Sequence, residues 1–347
     1  MEITKAYLQK KFEEYYSKAS FKVRDLDRRE WAFVPINAIP DFFMLRHIAF
    51  SDLNELKGYI LSKIPLHAYY SSAYYERPGE EKMEEKGWIC ADLIFDIDAD
   101  HIPIKADMEK ALEVAKKEIV RLYKILERDF GISDMEIVFS GNRGYHIHVH
   151  DKDFLNLEST ERREIVNYLT FNRFSIDSPN STQKRRVCRC TTKLIYSKIK
   201  RGIIKNKRLR KKIEINKKNL YSCDLSVLAK KERSIFEEHF KYCVNLLKVH
   251  IDEPVTADIH RLIRLPNSLH GKTGFVVKPL SIYDLDEFDP FKDAIVFGNE
   301  NVKVRCLKRA NFKIGDINMK VRPGEKLKLP EYAAIFLICR GIALYGH

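Results

Sequence analysis

GWICADLIFDID, residues 87–98, decides the reading of the fold. From Trp88 to Asp98 it alternates as a β-strand, with Leu93, Phe95 and Ile97 on one face and Ile94, Asp96 and Asp98 on the other. Asp107 can cap a long helix whose apolar positions Met108, Leu112, Ala115, Ile119, Leu122 and Leu126 form one stripe, closed by Gly131. Ile137–Ser140 reads as a short strand and Gly141 and Gly144 bracket a tight turn. Tyr145–His150 reads as another strand, with Tyr145, Ile147 and Val149 opposite His146, His148 and His150. The pattern predicts a strand–helix–strand–strand core and an α/β chain of the α+β type.

Upstream, residues 1–20 have helical spacing. Glu30–Val34 and Phe42–Ala49 read as strands around a turn with Asn37, Pro40 and Asp41. Asp52–Ser62 reads as a helix stopped by Pro65, Ala68–Tyr75 as a strand and Arg77–Lys86 as a charged loop. Downstream, Glu158–Asn172 and Asp224–Val249 read as helices, and strand signals return from Val255.

The 347 residues carry 62 Lys+Arg against 49 Asp+Glu, a net charge of +13. Between Lys184 and Lys218 stand 16 basic residues and one acid, Glu214, so that window holds +15 and the remainder −2. Such one-sided charge repels itself unless it meets an anion, and nucleic acid is the commonest one. A solvated basic loop is the plainer alternative. Apolar residues at Leu194, Ile195, Ile199, Ile203, Ile204 and Leu209 predict that the window folds, as short helices. With 20 Phe, 17 Tyr and 2 Trp the chain can bury a sizeable core, which excludes disorder as its main state. No apolar run is long enough to cross a membrane, and Met1–Lys11 is no signal peptide. The seven scattered Cys read as reduced thiols of a cytosolic protein.

Three stretches carry chemistry. Asp96 and Asp98, at i and i+2 of a strand, share a face and can converge on two cations, the arrangement used for phosphoryl transfer. The competing reading is a solvent-facing pair. SGNRGYHIHVH, residues 140–150, offers turn amides, the Ser140 hydroxyl, Arg143 and His146 to a phosphate. Its alternating His also resemble a metal cluster, but exposed or stacked imidazoles are the preferred reading of His148 and His150. HIDEPVTADIHRLIRLPNSLHGKTG, residues 250–274, adds Arg261, Arg264, His270 and Lys272, with Asp252 and Asp258 both open as a third carboxylate.

Taken in order, FDIDAD, SGNRGYHI and IDEPVT…HRLIRLPNSLHGKTG resemble the small, catalytic subunit of archaeal and eukaryotic-type DNA primases. REWAF (29–33), FMLRHIAF (43–50), YSSAYYE (70–76) and PEYAAIFLICRGIA (330–343) extend the resemblance over most of the chain. It implies the primase catalytic fold, with a mixed or antiparallel sheet flanked by helices. It places the family's metal carboxylates on Asp96, Asp98 and Asp252, the last chosen because it lies 18 residues before His270. Those three would hold two Mg²⁺ or Mn²⁺ ions. Ser140, Arg143, His146, Arg264 and His270 fall on contacts to the incoming triphosphate, and Glu30 and Arg46 on positions associated with the initiating nucleotide. The family's zinc knuckle has no counterpart after Asp98. Cys188, Cys190 and Cys223 are poorly spaced for zinc, so no zinc is expected.

The implied activity is template-directed synthesis of short RNA primers from NTPs on single-stranded DNA for replication, with DNA primers also open. A large primase subunit would be the partner, with no membrane. The location would be the cytoplasm, at the nucleoid in an archaeon. The expected division is a discontinuous catalytic domain, 1–159 and 249–347, interrupted by a basic, mainly helical subdomain, 160–248. Lys205, Lys207, Arg208 and Arg210 stand for its contacts to nucleic acid. The competing functions are a related primase-polymerase of repair and a non-catalytic single-strand-binding subunit.

Overall fold

The computed structural model describes residues 2–36, 43–99, 108–179 and 181–346. The expected turn at Asn37, Pro40 and Asp41 and the cap at Asp107 lie outside them. The described residues form an α/β protein divided into two compact units. One takes in the described residues of 1–124, 132–162 and 251–347, the other 125–131 and 163–250.

The first unit is built on two four-stranded antiparallel sheets. One runs in the order Leu45–Ile48, Trp31–Pro35, Pro65–Ser71, Leu262–Arg264. The other runs Lys278–Leu280, Met135–Phe139, Gly144–Val149, Leu93–Asp98. The aspartate strand is thus at an edge of its sheet, paired on one side with the histidine strand so that Asp96 faces His146 and Asp98 faces Gly144. The helix Met108–Phe130 carries the expected stripe, with Leu112, Ala115, Ile119, Leu122 and Leu126 all buried.

The single strand expected from Trp88 to Asp98 is in fact two. Trp88–Ala91 pairs with Ala73–Tyr75, and Leu93–Asp98 pairs with the histidine strand. The break falls on Asp92, whose fully buried carboxylate meets the Arg29 guanidinium at 2.7 Å and receives the Tyr74 hydroxyl at 2.9 Å. An inward charge of that kind holds only if paired, and Arg29, 1% exposed, supplies the pairing. Arg162 caps the same break by donating to the Ala91 and Asp92 carbonyls. The expected strand at Val255 is also corrected: Pro254 starts the short helix Glu253–Ala257, and strand resumes at Leu262. Pro65, expected only to stop a helix, opens a strand instead, and Ile64 in the left-handed region ends the helix Leu53–Lys63.

The second unit is helical. Thr182–Lys200, Lys207–Ile215, Lys217–Tyr221 and Lys230–Leu247 enclose a core that includes Val187, Ile195, Leu209, Ile213, Phe236 and Phe240. The basic window is therefore folded, although its first helix runs to 19 residues rather than a short piece. Ile195 and Leu209 are fully buried, while Ile203 is exposed. The reading of all seven cysteines as free thiols fails for four. These helices bring Cys188 to Cys223 and Cys190 to Cys243, with Cα separations of 5.6 and 6.1 Å, and both pairs are disulfides. Cys90, Cys306 and Cys339 remain free. Among the described residues no helix is long and apolar enough to cross a membrane.

Candidate active site

The structure brings the three aspartates expected to act together near one another. Asp252 is 154 residues beyond Asp98 in the chain, yet its backbone N–H donates to the Asp96 carbonyl at 2.9 Å. That bond brings the start of the Glu253–Ala257 helix against the aspartate strand. Burial and the neighbouring charges of Asp98 and Asp252 push the Asp96 carboxyl up from its ordinary value to about 7. Arg261 and Arg264 pull the other way and do not cancel the effect. A buried carboxyl with a raised affinity for protons, beside two further carboxylates, is a set that a divalent cation would relieve. Asp258, the other candidate, instead accepts the His260 amide at the end of the short helix.

Next to this cluster the Ser140–Gly144 turn is held from two directions. Its ends exchange hydrogen bonds, from the Ser140 amide to the Gly144 carbonyl at 3.0 Å and from the Gly144 amide to the Ser140 hydroxyl at 3.2 Å. From outside, the Thr273 hydroxyl donates to the Gly141 carbonyl at 2.6 Å. Gly141 has φ +82°, and a Cβ there would lie 2.7 Å from the His270 Cβ. A Cβ at Gly144 would strike the Ile97 carbonyl. Both glycines are thus required by the close approach of the turn to its neighbours. Arg143 projects from the turn into solvent.

His146 follows on the strand, 4% exposed, with Nε2 3.6 Å from an Asp96 oxygen. Burial, then Arg264 and Arg261, lower it to about 3, so the imidazole is neutral. Its Nδ1 is buried with no partner among the described residues. Arg264 stacks over the Tyr69 ring at 5.0 Å and its Nη1 lies 2.8 Å from Nδ1 of His67. The Gly271 amide donates to that same nitrogen, and His67 packs edge-on to His270 at 4.9 Å. His67 therefore acts as an acceptor that ties Arg264 to the His270 turn, and burial beside Arg264 holds it neutral, at about 2.

Sequence reasoning missed His67, which sits in an apolar strand without neighbouring phosphate-ready residues. It also missed Arg340, whose guanidinium lies close enough to Arg143 for the two charges to oppose each other. The only hint was its place in the PEYAAIFLICRGIA block.

Glu30 and Arg46 are brought together, but into a cluster of their own. Arg46 meets the buried Glu30 carboxylate at 3.0 Å, and the buried ammonium of Lys86 lies 3.5 Å from its other oxygen. The preferred reading of His148 and His150 is half corrected: the rings do pack in a row with His146, at 5.9 and 6.2 Å, but His148 is wholly buried rather than exposed.

In the second unit, Lys205, Lys207, Arg208 and Arg210 are all exposed. Arg210 pairs with Glu214 at 3.1 Å, the single acid of the window. A groove of about 580 Å³ in the same unit is lined by Lys193, Tyr196, Lys200, Arg201, Lys217 and Tyr221 among others, a mix of cations and aromatic rings.

A family model described as DNA primase small subunit matches residues 95–282. The chain is 49% identical over 346 residues to the DNA primase small subunit PriS of Archaeoglobus fulgidus, covering 99% of both chains. It is 37% identical to the PriS of Methanosarcina barkeri, over 99% of this chain and 97% of that one. Among solved structures, the polymerase domain of Mycobacterium tuberculosis ligase D in complex with DNA aligns over 81% of this chain and 83% of that chain. Its TM-score is 0.39 at 14% identity.

Proposed function

The chain belongs to the DNA primase small-subunit family and is a nucleotidyltransferase of the primase type, and we propose that its reaction centre is the Asp96–Asp98–Asp252 cluster. The observation that carries this is the approach of the distant Asp252 to the Asp96–Asp98 strand, with Asp96 pushed up to about 7 by burial and by the charges of the other two. The residues fit two divalent cations of the Mg²⁺ or Mn²⁺ type, since all the donors are carboxylate oxygens. Bound there, the ions would stabilise charge on the attacking 3′-oxygen and the departing pyrophosphate.

This chain's own residues would position the triphosphate. The Ser140–Gly144 turn offers amides, Arg143 and Arg264 offer fixed charge, and His146 offers a neutral N–H. Held at about 3, His146 is a poor proton donor at neutral pH and acts by hydrogen bonding. His270, lowered well below its ordinary value, belongs to the same neutral class. Catalysis is then positioning and charge stabilisation, with no side-chain nucleophile. Glu30 and Arg46 would meet the initiating nucleotide. The second unit, through its exposed cations, would bind single-stranded DNA, and a large primase subunit would complete the enzyme.

A primer-synthesis assay on single-stranded DNA tests this, with NTPs or dNTPs and with or without Mn²⁺. Asp96→Ala and Asp98→Ala should each abolish incorporation while single-strand binding and the circular dichroism spectrum stay as in the parent. Continued polymerisation by either variant would sink the assignment.

A further inference from the structure

One step along the sheet from Asp96 and His146, on the same polar face, His148 stands opposite Glu136. His150 follows at the next position of that face. One ligand atom from each of Glu136, His148 and His150 lies within 4.8 Å of the others. We propose that these three residues bind one divalent transition-metal ion of the zinc class, at a site distinct from the aspartate cluster.

The surroundings of the two imidazoles carry the argument. Nδ1 of His150 lies 3.2 Å from a carboxylate oxygen of Asp92, and Nδ1 of His148 lies 3.3 Å from the Tyr70 hydroxyl. A metal-bound histidine ordinarily engages its other ring nitrogen with a carboxylate or another fixed polar group, which sets the tautomer and the ring angle. With both Nδ1 atoms engaged in that way, the two Nε2 atoms are left as donors. Nε2 of His148 is wholly buried and has no partner among the described residues, although buried ring nitrogens nearly always find one.

The orienting carboxylate is itself fixed. Asp92 is held by Arg29 at 2.7 Å and by the Tyr74 hydroxyl, so the local acid is already balanced before any ion arrives. Glu136 then adds the one negative charge that an ion would meet directly. Two imidazoles and a carboxylate suit Zn²⁺ and its neighbours and suit Mg²⁺ poorly. A bound ion would tie the strand Met135–Phe139 to the strand Gly144–Val149, one register step from His146.

The test uses the full chain and Zn²⁺ itself. After loading with Zn²⁺ and dialysis into metal-free buffer, metal content should be about one ion per chain in the parent and in the Asp96→Asn/Asp98→Asn double variant. Glu136→Gln and His150→Gln, made separately and checked for folding by circular dichroism, should each weaken Zn²⁺ by at least about tenfold. Zn²⁺ should raise the melting temperature of the parent and not of Glu136→Gln. Co²⁺ in place of Zn²⁺ should give visible d–d bands without thiolate charge transfer. No retained zinc in the parent would overturn the proposal, as would zinc that survives both variants. A thiolate band, or loss of zinc only with the aspartates, would do the same.

Discussion

Asp96 shows how a site residue can oppose the stability of its own fold. A carboxyl whose folded pKa is raised, here to about 7, binds its proton more tightly when folded than when unfolded. The folded state is therefore not penalised below the unfolded value of about 4, and the penalty grows until it is complete above about 7. Asp96→Asn should raise the melting temperature of metal-free protein at pH 8 by several degrees and leave it nearly unchanged at pH 4. Added Mn²⁺ should stabilise the parent at pH 8 far more than the variant. A variant less stable than the parent at pH 8 would refute this account. His146 runs in the opposite sense. It is neutral down to about pH 3, so its contribution to triphosphate binding is flat through the working range. Arg143→Ala and His146→Ala should raise the KM for NTP more than the Kd for template. For His146→Ala the ratio to the parent should stay constant from about pH 5.5 to 8.5. A ratio that changes through about pH 6.5 would show a histidine that titrates in that range.

At the scale of elements, the basic helices of the second unit separate two uses of positive charge. If Lys205, Lys207, Arg208 and Arg210 meet phosphates, log affinity for single-stranded DNA falls linearly with log salt, by about 0.7 for each phosphate neutralised. Changing all four to Gln should flatten that slope and weaken binding with little dependence on sequence, while incorporation at saturating template survives. An unchanged slope would move the segment to partner docking or plain solvation. Elements of this kind were legible because their signal is local. The stripe Met108–Leu126 and the alternation Leu93–Asp98 each name a buried face directly. What stayed hidden needed a distant partner. The split at Asp92 depends on Arg29, 63 positions earlier, and nothing within GWICADLIFDID announces that this aspartate turns inward. The same holds for His67, whose role exists only because Arg264 and Gly271 arrive across the fold. The aspartate pair could be read from the strand, whereas Asp252 could be chosen over Asp258 only by resemblance.

For the molecule as a whole, charge and covalent bonds fall on the same unit. The window that holds +15 lies in the helical unit, and so do both disulfides, while the three free cysteines all lie in the other. Cys188–Cys223 and Cys190–Cys243 span sequence separations of 35 and 53. On the chain-entropy account, loops of that size each contribute about 4 kcal/mol by restricting the unfolded ensemble. The helical unit has the smaller core, so the loss of both links weighs most heavily there. Calorimetry of the full chain should therefore give two transitions, of which reductant lowers one and leaves the other in place. Alkylation of the denatured chain should modify three cysteines without reductant and seven after reduction. Because the cations ride on helices packed over that cross-linked core, reduction should also weaken single-stranded DNA binding at temperatures near the lowered transition. The aspartate cluster has no link to these bonds through its own unit, so Mn²⁺-induced stabilisation of the reductant-insensitive transition should persist. Seven reactive cysteines in the unreduced chain would refute the pairing. A single transition that shifts as one body under reductant would instead show that the two units unfold together.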